Sequence, residues 1–167
     1  DFYDFTRYRP VITLGKGTQE MELPNSEIYY AQHDNTDYVF LKLLEPQMHG
    51  ELYVESVLEL LNKLNVTRYT LLGSMAGAVP HTKPLRVTGG AIGENALREI
   101  EVQVEVHSDD YQGPSSICLL INQEAPHYGI ETMYFIVDLP SYIKLENDYI
   151  GKVRLLEVLN FLYNVSI

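Results

Sequence analysis

Apolar residues recur along this chain in two periods. In 50–65, Val54, Val57, Leu58, Leu61 and Leu64 return at helical spacing, with Glu51, Glu55, Glu59 and Lys63 along the wet side. That pattern predicts an amphipathic helix. The same period reappears in 148–163, where Ile150, Val153, Leu156, Leu159 and Leu162, or their neighbours, are expected to face inward. Helices are also expected from Gly93 to about residue 99, and over 114–125, where Pro114 follows Gly113 and suits a first helical position. Short β-rich runs predict strands at 10–14, 18–23, 27–32, 68–72, 85–88 and 130–137. The first two pair across a Gly15-Lys16-Gly17 turn. The run 38–44 is apolar enough for a strand buried on both faces. In 101–107, Val102, Val104 and Val106 alternate with polar residues, the signature of a half-exposed strand.

Strands alternating with helices define an α/β chain. The early strands lack intervening helices, so the expected sheet is mixed but mostly parallel, with helices on both faces in three layers. The length of 167 residues suits one domain over 1–167. At 46% hydrophobic and 21% charged residues, the chain can build a core without disulfides. Its single cysteine, Cys118, lies in an apolar run and reads as a buried thiol in a reducing, cytoplasmic setting. The formal net charge of -11 opposes binding to phosphate backbones and anionic lipid, so neither nucleic acid nor membrane is an expected partner.

Chemistry concentrates in one stretch. In open α/β sheets, ligands bind beyond the carboxyl ends of strands. The predicted strands place Glu45-Pro46, Gly73-Ser74 and Gly89-Gly90 at such ends. The turn Gly73-Ser74-Met75-Ala76-Gly77 can bring backbone N–H groups to an anion, and His81, Lys83 and Arg86 add positive or switchable charge. The alternative is that the small residues pack closely while Pro80 and Pro84 stiffen the loop. Ser74 stands one place off the Gly-x-Ser-x-Gly nucleophile elbow, and no His–Asp partner can be assigned to it. Gly113 and Ser115 open a predicted helix, where free N–H groups can attract an anion or simply be capped. Glu45 can act as a desolvated base or pair with an arginine. The five histidines are scattered, with no HExxH or CxxC, so no metal is expected. No catalytic set is complete and no cofactor motif is present. The 13 tyrosines suit either β-structure or protein interfaces.

Several blocks resemble the PAC2 family, the proteasome-assembly-chaperone-2-like proteins. They are Tyr3-Asp4-Phe5 with Arg9-Pro10; Glu45-Pro46; Pro80-His81-Thr82-Lys83-Pro84 before Val87-Thr88-Gly89; Tyr111-Gln112-Gly113-Pro114; and Leu139-Pro140-Ser141-Tyr142. The resemblance implies a phosphorylase/hydrolase-like α/β fold, self-association into homo-oligomers and a chaperone-like role on another protein complex. It also implies a strand, a Gly-rich turn and a helix before the first block, so a truncated N-terminus is expected. The hydrophobic-Tyr-any ending of proteasome-docking relatives is replaced here by Val165-Ser166-Ile167. The expected function is therefore a non-catalytic binding or assembly protein. The alternative is an anion- or nucleotide-binding enzyme of phosphorylase/hydrolase type that uses the 73–86 loop.

Overall fold

A computed structural model describes residues 2–15, 19–103 and 113–165. The chain divides into two compact units, Asp1–Val57 and Leu58–Ile167.

The N-terminal unit holds two antiparallel hairpins. β1 (Val11–Leu14) pairs with β2 (Gln19–Glu22), Val11 opposite Glu22 and Leu14 opposite Gln19. Of the predicted Gly15-Lys16-Gly17 turn between them, residues 16 and 17 lie outside the described residues. β3 (Glu27–His33) pairs with β4 (Thr36–Lys42) across Asp34 and Asn35, whose φ angles are 46° and 61°. Two positive φ angles in a two-residue loop match the right-handed twist of the flanking strands, and Asp and Asn tolerate them best after glycine. β4 is not buried on both faces as its apolar run suggested: Phe40 is half exposed. Its strand partner among the described residues is β3, and its residues alternate between half-buried and exposed positions in part of the strand.

The helix α1 (Gly50–Lys63) buries Val54, Val57, Leu58 and Leu61, as its period predicts, and also Tyr53, whereas Leu64, expected on the same face, lies past its end and is half exposed. The helix ends where Asn65 turns to a φ of 54° and the N–H of Val66 donates to Leu61 O at 3.0 Å. The N–H of Asn65 donates to Asn62 O. Together these bonds satisfy carbonyls the last turn would leave open.

The C-terminal unit is a three-stranded mixed sheet. β5 (Arg68–Gly77) and β6 (Val87–Ile92) flank a central β7 (Glu131–Pro140), which runs parallel to β5 and antiparallel to β6. Three helices accompany it: α2 (Glu94–Gln103), α3 (Ile117–Glu124) and α4 (Tyr149–Tyr163). Adjacent residues of a strand point to opposite faces. Thr70 shares a 2.7 Å hydrogen bond with Tyr163 of α4, and Tyr69 donates to Cys118 O of α3. The core gathers Val87, Ala96, Met133, Phe135 and Val158, with Leu155 and Leu162 against them. Each large side chain fully buried there contributes about 1.5–3 kcal/mol.

The amino end of this sheet is tied by an ion cluster. Arg68 makes a bidentate pair with Glu99 (2.6 and 3.0 Å) and reaches Glu131 at 3.3 Å. The other oxygen of Glu131 accepts from Asn95 N and Nδ2. Partial burial alone would raise the Glu131 pKa, but the Asn95 N–H and the Arg68 guanidinium outweigh it and hold the carboxyl below its usual range. Gly93 precedes α2 with a φ of 118°, and a Cβ there would come within 2.6 Å of Glu131 Cγ.

Several boundaries differ from the pattern-based expectations. The run Gly73-Ser74-Met75-Ala76-Gly77 is the second half of β5 and not a turn. It stands in register with 136–140 of β7, and a Cβ at Gly73 would meet Ile136 Cδ1 at 2.9 Å, a contact that a shift of the isoleucine side chain would relieve. Gly89 and Gly90 likewise lie inside β6. Residues 101–103, predicted as the start of a strand, are the last turn of α2, and the rest of that prediction lies outside the described residues. α3 begins at Ile117 with Ser116 in the cap position, so Pro114 is not at its first turn and neither Gly113 nor Ser115 caps it. In α4 the buried stripe runs through Gly151, Leu155, Val158 and Leu162, leaving Ile150 and Val153 exposed. Cys118 is only half buried.

Candidate functional site

Parallel pairing puts the carboxyl ends of β5 and β7 at one rim, with Gly77 opposite Pro140. β6 runs the other way, so the connection from Gly77 to Val87, carrying Pro80-His81-Thr82-Lys83-Pro84, lies at that same rim. The segment after Pro140 meets it. Ser141 N–H donates to Gly77 O at 3.1 Å, and the hydroxyl of Tyr142 lies 2.8 Å from both the backbone nitrogen and Nδ1 of His81. The hydroxyl accepts the backbone N–H, and the two rings stand edge to face with centroids 5.8 Å apart.

Below this surface latch sits a charged one. Asp138 is 2% exposed, and Arg86 Nε donates to its Oδ2 at 2.7 Å. The Asp138 N–H in turn donates to Arg86 O at 3.0 Å. A carboxylate so deeply placed is tolerable only with a paired, hydrogen-bonded cation. Arg86 therefore serves the fold, and much of its charge is spoken for. Lys83 is exposed on the same loop, which bends through a contact between its N–H and Pro80 O. Arg154 of α4 anchors the end of the loop by donating to Leu85 O at 3.2 Å.

Of the residues singled out from sequence, His81, Lys83 and Arg86 share this rim. Gly73 lies farther down β5, and Ser74 is exposed on that strand. Gly113 and Ser115 are exposed in the segment before α3. Glu45 belongs to the N-terminal unit, on a second rim of its own. There Ser26 Oγ is shared by the hydroxyls of Tyr3 and Tyr53, each at 2.7 Å, and accepts from Leu44 N. The Asp4 N–H donates to Gln47 Oε1, and the Gln47 N–H donates to Phe2 O, while Gln47 Nε2 donates to Glu45 O. The block around Tyr3-Asp4 and the block around Glu45-Pro46 are thus one structure, just as the Pro-His-Thr-Lys-Pro and Leu-Pro-Ser-Tyr blocks are.

Two residues of the rim escaped the sequence-based reading as site members. Asp138 was legible as a single carboxylate inside the apolar run Ile136-Val137-Asp138-Leu139, which demands a partner. Tyr142 carries no sequence signal beyond its place in the Leu139-Pro140-Ser141-Tyr142 block. Among the described residues, no three His, Cys, Asp or Glu side chains are placed to hold a metal ion.

A sheet of one parallel and one antiparallel ladder, accompanied by helices, makes this a mixed α/β protein. The chain belongs to the PAC2 family, whose model matches residues 1–167. It is similar in structure to a PAC2 family protein from Streptomyces avermitilis MA, with a TM-score of 0.88 and 24% identity over 99% of this chain and 70% of that one. A proteasome-assembly chaperone homologue of Mycobacterium tuberculosis matches with a TM-score of 0.85 and 25% identity, over 99% of this chain and 70% of that one. The fold is also that of PbaB, an archaeal proteasome activator of Pyrococcus furiosus, at a TM-score of 0.71 and 13% identity over 94% of this chain and 68% of that one. No curated protein matches the chain. No helix among the described residues is long and apolar enough to cross a membrane.

Proposed function

We propose that this chain is a non-catalytic binding and assembly protein of the PAC2 type, self-associating and chaperone-like toward another protein complex. The observation that carries the reading is the likeness, over 99% of this chain, to a proteasome-assembly chaperone homologue. The chemistry of the rim supports it. Its polar groups are held in two pairs, His81 with Tyr142 and Arg86 with Asp138, which suits a surface of fixed shape. Tyr142, Leu145, Tyr149 and Ile150 are each at least 60% exposed, the kind of aromatic and aliphatic area that protein partners cover. In this reading residues 1–167 act as one domain, built on a three-layer, phosphorylase/hydrolase-like sheet in the cytoplasm.

Sedimentation equilibrium of the purified chain is expected to give a mass above that of one copy. Mixing it with proteasome core subunits of its source is expected to yield a stable complex of incompletely assembled core. A monomer at all concentrations, with no such complex, would remove the proposal. The competing anion-binding reading is weakened by the Arg86–Asp138 pair, which leaves His81 and Lys83 to supply the charge. It predicts that inorganic phosphate raises the melting temperature and that Lys83→Ala abolishes the rise.

A further inference from the structure

We draw no further inference here: the strongest candidate, the apolar stripe that Tyr149, Ile150, Val153 and Leu156 expose along the outward side of α4, has nothing in the structure to show what covers it.

Discussion

Tyr142 reaches across 61 positions of sequence to His81 and holds it by both main chain and ring. One hydroxyl thereby sets the conformation of a loop that prolines stiffen but do not place. We expect Tyr142→Phe to leave the fold intact and cost about 1 kcal/mol or less in urea unfolding, since the bond is exposed. Its sharper effect is local: hydrogen exchange at the His81 amide should quicken while the amides of β7 stay protected. Unchanged exchange at His81 would mean that the latch does not hold the loop in solution.

The buried pair beneath should behave differently. Removing the cation by Arg86→Ala leaves the Asp138 carboxylate deeply buried without its guanidinium. Breaking such pairs costs about 3–5 kcal/mol in deep sites. The Arg86 side chain is 42% exposed, so water offsets part of the loss and the lower end of that range or somewhat less is expected. Lys83→Ala on the same loop should fall within about 0.5 kcal/mol of wild type, as surface substitutions do. Chemical denaturation of both variants tests this ordering, and a harmless Arg86→Ala would show the pair to be dispensable.

The ion cluster at the other end of the sheet makes stability depend on acidity. Glu131 has its carboxyl held below the ordinary glutamate value in the folded chain, which is about 4.3 in the unfolded one. A group depressed on folding stabilises above its unfolded pKa and loses that contribution as pH falls through the folded one. The advantage of wild type over Glu131→Gln should therefore be complete above about pH 5 and shrink steadily below about pH 4. A difference that does not change over this range would contradict the assignment.

Gly93→Ala tests the geometry of the same corner. Alanine at a φ of 118° is strained, and its Cβ would press on Glu131. Backbone strain of this kind costs about 1–3 kcal/mol. We expect a loss in that range, together with a weaker pH dependence because Glu131 is pushed from Asn95 and Arg68. A fully stable alanine variant would mean that the backbone relaxes there without loss.

Local patterning carried much of the architecture. The stripe Val54, Val57, Leu58 and Leu61 reports a helix because a 3.6-residue period is a property of neighbouring residues alone. The pairing of β1 with β2 was legible for the same reason. The family blocks could be recognised, and His81, Lys83 and Arg86 could be placed on one connection, because they sit within a few residues of each other.

What the chain order could not disclose is how distant segments meet. The run Gly73-Ser74-Met75-Ala76-Gly77 has the composition of a turn, yet it is a strand because 136–140 of β7 lies beside it and Ile136 occupies the space a side chain at Gly73 would take. The inward face of α4 was legible only in part: Leu162 packs against the core as expected, but the helix is apolar on two sides, and only the position of Val87, Ala96 and Phe135 decides that Leu155 and Val158 are covered and Val153 is not. By itself, then, the sequence determined helix and hairpin identity, the acidic surface and the family. Tertiary structure alone decided strand lengths, the buried side of α4 and the latches Tyr142–His81 and Arg86–Asp138. The physical reason is that propensity and periodicity act between neighbours, whereas register, burial and charge pairing depend on which remote atoms share the same space.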